Sequence, residues 1–226
     1  SALPLEHGNT YVTRVRAVSN AGGTSTSAES NGVTLDLTEP ERGEVMDGSV
    51  VAGGDQEWGT DVLDVQANWL GFLDAESSID SYEWCVGTSP GTDNVLACHG
   101  VGEATDAAAT PSDLNMANLA ASIVPAGTDA AIVTSIADAL AAGDSVASLL
   151  PAGSSVPTLF STVTAVNALG LRTTAFSSGV KYDLYPPSQG VVTLLHPLTN
   201  APVETWSPDS SRVVVEWGGF GDVGSG

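Results

Sequence analysis

Residues 69–84 read WLGFLDAESSIDSYEW. An apolar run ends around Phe72, an acidic stretch opens at Asp74, and Tyr82 and Trp84 begin a second alternating run. Apolar residues two apart mark a strand with one buried face, so the stretch is read as strand, turn, strand. Upstream, Leu63, Val65, Ala67 and Trp69 alternate with Asp64, Gln66 and Asn68, which gives the first strand one wet face. Tyr82, Trp84 and Val86 form the inward face of the second. The start of the stretch returns as WGGFGD at residues 217–222, so an internal repeat is the first thing to test.

The repeat extends well beyond that motif. At a shift of 148, Val15, Ala17, Val18 and Gly22 meet Val163, Ala165, Val166 and Gly170. At 147, Gly32, Val33, Asp36, Leu37, Pro40, Gly43 and Val45 meet Gly179, Val180, Asp183, Leu184, Pro187, Gly190 and Val192. At 148 again, Trp58, Val65, Trp69, Phe72 and Asp74 meet Trp206, Val213, Trp217, Phe220 and Asp222. Glycines, tryptophans and strand residues all keep an offset of 147 or 148. The chain is therefore expected to hold the end of one module (1–40), one whole module (41–186) and the start of a third (187–226).

Tyr11, Thr13, Val15 and Ala17 share one face of a strand and Arg14 and Arg16 the other. Together with Leu5, Gly8, Asn20 and Gly22, Tyr11 resembles the last hairpin of a fibronectin type III domain. In that family the tyrosine bonds its hydroxyl to upstream backbone. The signature W-x-G-F-x-D-x-x-S-x-I-x-x-Y-x-W is similar to a variant found in tandem repeats of large extracellular proteins. The resemblance implies an all-β fold of tandem fibronectin III/Ig-like sandwiches. It implies a core signature of Trp69, Phe72, Tyr82, Trp84, Val163 and Ala165, with Trp217 and Phe220 in the third module. Leu159 stands where the first module has Tyr11, so the whole module needs another corner tie.

Residues 103–145 interrupt the pattern as an insertion rich in alanine, with scattered aspartates and no basic residue. Thr128 is expected to cap a helix with Asp129 in its first turn, Ile132, Val133, Ile136 and Leu140 lie at helical spacing, and Gly143 is a C-cap. A shorter helix is expected over 112–122, with Leu114 and Leu119 inward. The apolar stripe can bury on its own module or on a neighbouring subunit. The alanine-rich, acidic insert adds a fainter resemblance to flagellar surface and mastigoneme proteins of green algae.

The 226 residues carry a formal charge of −21, and residues 43–171 hold no Lys or Arg. Such a surface repels phosphate backbones and excludes nucleic acid as a partner, while it attracts cations and basic proteins. No apolar run approaches the roughly 18 residues a membrane helix needs, so no membrane insertion is expected in this segment. The chain begins inside one motif and stops inside another, and is expected to be a piece of a longer protein.

Cys85 and Cys98 do not have redox or zinc spacing. Equal strand lengths around the loop centred at residues 91–92 place them opposite each other on the outward face, where a disulfide can form. That implies an oxidising compartment, extracellular or at the cell surface. Metal binding by Cys98 and His99 is disfavoured, because adjacent strand residues point to opposite faces.

Asp74, Glu76 and Asp80 could hold Ca²⁺ through oxygen ligands. Gly224 stands at the position of Glu76 in the third module, which favours turn residues bonding their own backbone. No catalytic motif is present, and the three histidines fall in different modules or loops. There is no N-x-S/T sequon, whereas the Ser/Thr-rich loops offer positions for O-linked sugars. The expected role is structural and non-catalytic, with contacts to other subunits or to copies of the same protein. A ligand- or carbohydrate-binding adhesion module, built on Trp58 and Trp206, and an accessory domain of a larger enzyme are the alternatives.

Overall fold

The computed structural model describes residues 4–49, 54–151, 154, 157–196, 199, 201–202 and 213–222. The chain is mostly β, with two short α-helices. Four short strands come first: β1 (Thr10–Tyr11), β2 (Arg14–Val15), β3 (Ala28–Glu29) and β4 (Val33–Thr34). β1 pairs with β4 and β2 with β3, both antiparallel. Then follow β5 (Glu44–Asp47), β6 (Trp58–Gly59), β7 (Gln66–Leu70), β8 (Ile79–Gly87), β9 (Leu96–Gly102) and β10 (Asp106–Ala108). Helices α1 (Met116–Ile123) and α2 (Ala130–Ala142) precede β11 (Thr158–Asn167), β12 (Arg172–Phe176) and β13 (Val180–Tyr182). The hairpin of β14 (Val191–Leu195) and β15 (Val214–Gly218) comes last.

Residues 41–186 form a sandwich-like body. One sheet has the order β10-β7-β5; the other runs β6-β13-β11-β8-β9, with β12 also on β11. The period-two pattern explains their meeting. Val45, Ala67 and Trp69 from the first sheet, Val65 just before β7, and Tyr82, Trp84, Val163 and Ala165 from the second are all buried in one cluster. Phe72 joins them at 8% exposure. Register aligns the large residues: Trp84 faces Val163 and Tyr82 faces Ala165. Trp69 and Phe72 pack edge-on against Tyr82, with ring centroids 5.6 and 5.7 Å away. Each such side chain contributes on the order of 2–3 kcal/mol of burial.

The backbone repeats along with the sequence. Tyr11 pairs with Val33 as Leu159 pairs with Val180, and Val15 with Ala28 as Val163 with Ala175. Val45 faces Trp69 as Val192 faces Trp217. Gly71 and Gly219 share a left-handed φ of 77° and 73°. A Cβ on Gly43 would strike the Leu70 carbonyl and the Phe72 ring, as one on Gly190 would strike the Gly218 carbonyl and the Phe220 ring. Burial does not repeat. Val163 is fully buried, whereas Val15 is 64% exposed. Trp217 and Phe220, expected in the core, are exposed at 71% and 56%. The reason is that among the described residues no second sheet lies over β14 and β15.

The corner tie expected at Tyr11 is present: its hydroxyl accepts the Glu6 N–H at 2.7 Å. In the larger body the Tyr182 hydroxyl donates to the Asp64 carbonyl at 3.2 Å.

The stretch expected to be inserted from residue 103 contains β10, which pairs with β7 and so belongs to the sheet. The helices lie between β10 and β11. Asp129, not Thr128, is the N-cap of α2, accepting the Ala131 N–H at 2.8 Å; the Thr128 hydroxyl donates instead to the Pro125 carbonyl. Gly143 closes the helix at a φ of 75°. Leu114, Leu119, Ile123, Ile136 and Leu140 are buried in the same cluster as the sheets, so the stripe is covered by its own module. Ile132 stays exposed.

The disulfide between Cys85 and Cys98 is present, with Cα atoms 4.2 Å apart. Cys85, expected on the outward face, is 5% exposed. The β8–β9 loop folds back over that face: the Gly91 N–H donates to Thr162 Oγ1, and Thr162 lies beside Cys85.

Asp47 is almost fully buried, and its Oδ2 accepts the Gly179 N–H at 2.9 Å in the short connection between β12 and β13. Burial raises its carboxyl pKa to about 6; hydrogen bonds from Ser177 and Ser161 oppose the shift.

Two outcomes follow for stability. In the folded state Asp47 holds its proton up to about pH 6, while an unfolded aspartate loses it near pH 4. Stability should therefore fall as pH rises from 4 to 6, by about 3 kcal/mol at most, and Asp47→Asn should flatten that decline in urea titrations across this window. Replacing Cys85 and Cys98 together by serine should cost about 3 kcal/mol for so short a loop, measured the same way.

Candidate functional site: the joint at residues 36–41

Residues 36–41 lead from the first pair of hairpins into the sandwich-like body, and side chains from both sides meet there. The acidic turn after β7 is built by Asp74. Its Oδ1 accepts the N–H groups of Ser77 at 2.8 Å and Glu76 at 3.2 Å. The turn leaves Ser78 at a φ of 63°, a left-handed conformation uncommon for serine. Asp36 makes a parallel turn after β4, its Oδ1 accepting from Thr38 N–H at 3.0 Å and Thr38 Oγ1 at 3.3 Å.

Asn167, at the end of β11, clasps the two turns. Its amide nitrogen donates to Asp36 Oδ2 and to Asp74 Oδ2, each at 3.0 Å, and its Oδ1 accepts from the N–H groups of Leu169 and Leu171. Ser77 Oγ donates to Asp36 Oδ2 at 2.7 Å. Asp36, Asp74 and Asn167 are all buried. Three further ties hold the connecting strand: Thr173 Oγ1 donates to the Pro40 carbonyl, Glu41 bridges to Leu73, and Asn167 reaches the Thr38 carbonyl at 3.4 Å. The connector is pinned along its length, unlike the Gly/Ser linkers that behave as random coil.

Both carboxyls sit below the ordinary aspartate range. For Asp36 the main cause is the Thr38 N–H, followed by the Ser77 hydroxyl. For Asp74 burial pushes upward, but bonds from Ser77, Asn167 and Glu76 together outweigh it. Two anions side by side repel, and donors aimed at all four oxygens make the arrangement stable.

His7 adds a link on the outer side. Its Nδ1 accepts the Leu37 N–H at 3.2 Å, which puts the ring proton on Nε2, and Nε2 lies 3.5 Å from Glu76 Oε1. Among the described residues, the one group of three metal-capable side chains with ligand atoms within 4.8 Å is His7, Asp36 and Glu76. It does not suit a metal. Asp36 already accepts four hydrogen bonds and the His7 acceptor nitrogen is occupied. The set considered for Ca²⁺ is not brought together: Asp74 and Glu76 share the turn, but Asp80 is exposed on β8 and outside this group. Sequence reasoning missed Asn167 and His7, which pattern alone leaves as an ordinary turn residue and an isolated histidine. It named Asp36 only as a repeat match.

The joint has a counterpart downstream. Asp183 Oδ1 accepts the Tyr185 N–H at 3.0 Å, as Asp36 does that of Thr38, and Ser188 bridges to Gly221 as Glu41 does to Leu73. Trp58, considered as a binding platform, is 41% exposed, and Lys181 Nζ lies 5.3 Å from its ring centroid. Trp206 lies outside the described residues. No match was found among protein-family models, curated proteins or solved structures.

Asn167→Ala, or Asp36→Asn, should loosen the joint and leave the sandwich core intact. Amide exchange at Thr38 and Ser77 should rise about tenfold, while Trp84 and Val163 stay protected. Because both carboxyls are depressed, their contribution is complete above about pH 4 and lost as the pH falls below that; the same exchange measurement should show the joint opening first in acid.

Proposed function

We propose that the chain is a non-catalytic segment of tandem fibronectin III-like sandwiches in a large extracellular filament or cell-surface assembly. The strand order supports the family reading: β5, β7 and β10 pair antiparallel in one sheet and β8, β9, β11 and β12 in the other, in keeping with the two-sheet plan of that family, while β6 is added parallel to β13 at the edge of the second sheet. The observation that carries the structural role is the pinned joint. Modules joined by free linkers tumble independently. Modules joined through a buried Asp–Asn–Asp clasp keep one orientation, and a repeated fixed orientation makes a rod. The disulfide suits an oxidising compartment, and no helix among the described residues is long and apolar enough to cross a membrane. Lateral contacts with other subunits or copies would then use the module flanks.

The carbohydrate-binding alternative needs an open aromatic face, and the lysine over Trp58 supports a packing role for that ring instead.

Small-angle scattering of the chain in solution tests the proposal. A single elongated, rigid particle is expected, becoming flexible in the Asn167→Ala variant. Scattering typical of freely jointed bodies in the unaltered chain would contradict it. Imaging of the native assembly should show an axial repeat of one module, and isolated monomers would remove the filament role.

A further inference from the structure

His7 stands between two modules and between two carboxylates. It precedes β1, while Glu76 belongs to the acidic turn after β7 and Asp36 to the connecting strand. Its Nε2 lies 3.5 Å from Glu76 Oε1 and its Nδ1 3.8 Å from Asp36 Oδ1. Glu39, Glu41 and Asp74 line the same space as the ring, and no Lys or Arg does. The neighbouring Glu6 carboxylate is taken by the Asn9 amide at 3.2 Å. Among the described residues, every charged group around the ring is therefore negative. Histidine is the side chain whose charge ordinarily changes between about pH 5 and 8. With 36% of its side chain exposed, His7 is open to proton exchange with solvent.

We infer that His7 is a proton-operated latch on this joint: on taking up a proton it ties the first hairpins more firmly to the acidic turn of the sandwich. The neutral ring accepts the Leu37 N–H on Nδ1 at 3.2 Å. A protonated ring has two N–H donors and no acceptor, so that bond is given up. In return the Nε2–H bond to Glu76 becomes charge-assisted, roughly twice as strong as a neutral one, and the cation sits within ion-pair range of Asp36. The added positive charge also eases the repulsion among Asp36, Asp74, Glu76, Glu39 and Glu41. Asp36 and Asp74 stay anionic throughout, because both carboxyls sit below the ordinary aspartate range. The latch is particular to this joint. At the offset of 148, Ser155 stands for His7 and Gly224 for Glu76, so the next joint keeps the aspartate turn at Asp183 without either partner. An array of such joints would stiffen at one place on acidification. The latch works whether or not the modules form a filament, since it needs only the contact of His7 with Asp36 and Glu76.

The test follows amide exchange at Thr38 and Ser77 by NMR on the whole chain from pH 8 to pH 5, each rate divided by the intrinsic rate at that pH. The Asp47→Asn background removes the one buried carboxyl that titrates at about 6. Protection at both amides should rise about threefold on acidification, the size expected of half-exposed ion pairs. The rise should share its midpoint with the titration of the His7 ring protons. The Leu37 amide proton, losing its acceptor, should shift with the same midpoint. His7→Gln should abolish the rise, and His99→Gln should keep it. Protection that stays flat or falls towards pH 5 would overturn the latch. So would a rise that survives in His7→Gln or disappears in His99→Gln. If His7→Gln fails to fold, Glu76→Gln leaves the ring in place and decides alone: a rise cut to half or less supports the latch, and a larger remaining rise refutes it.

Discussion

The pairing of β8 with β11 is the interaction on which the rest of the structure depends. It sets Trp84 beside Val163 and Tyr82 beside Ala165 in one register. A slip of one residue would turn the whole aromatic set to the opposite face. With that register fixed, Trp69 and Phe72 meet Tyr82 from the facing sheet, and the helices of the insert bury Leu119, Ile136 and Leu140 into the same cluster. The disulfide and the returning loop hold one end of β8; the acidic turn and Asn167 hold the other.

The polar groups divide by what surrounds them. At the joint, two aspartates survive burial because amide and hydroxyl donors satisfy all their oxygens, and the same donors make the joint stiff. At Asp47 burial dominates, and the carboxyl titrates well above its ordinary range. The two arrangements of the same residue type differ in whether donors or burial win: at the joint donors satisfy every oxygen, at Asp47 burial holds the proton.

Much of the fold was legible in the residues. Alternation at Val65, Ala67 and Trp69 and at Tyr82, Trp84 and Val86 located strands and faces, because a strand's side-chain period is two and both sheets are buried on one side. The recurring glycines marked places where two backbones approach too closely for a Cβ, as at Gly43 and Gly190. The helix at residues 130–142 was visible in its spacing and its Gly143 cap, while its first residue was not, since Thr128 and Asp129 are both good caps and only geometry chooses between them. The joint was nearly invisible. Asn167 and Asp36 are 131 positions apart, and a contact made by folding has no local signature.

The sequence by itself determined the main strands of residues 41–186, the large apolar residues they turn inward, the repeat and the cysteine pair. Each of these follows from local periodicity or from comparing the chain with itself. The tertiary structure decided burial and partnership. Val15 and Val163 sit at equivalent places in two separate ladders, yet one is exposed and the other enclosed; Trp217 repeats Trp69 and lies open; Cys85, which the alternation assigned to the outside, is covered by a loop. Strand pairing needs only the neighbouring backbone, so it repeats wherever the sequence does. Burial needs a second sheet, and which side chains are clasped or enclosed is fixed only when distant parts of the chain arrive.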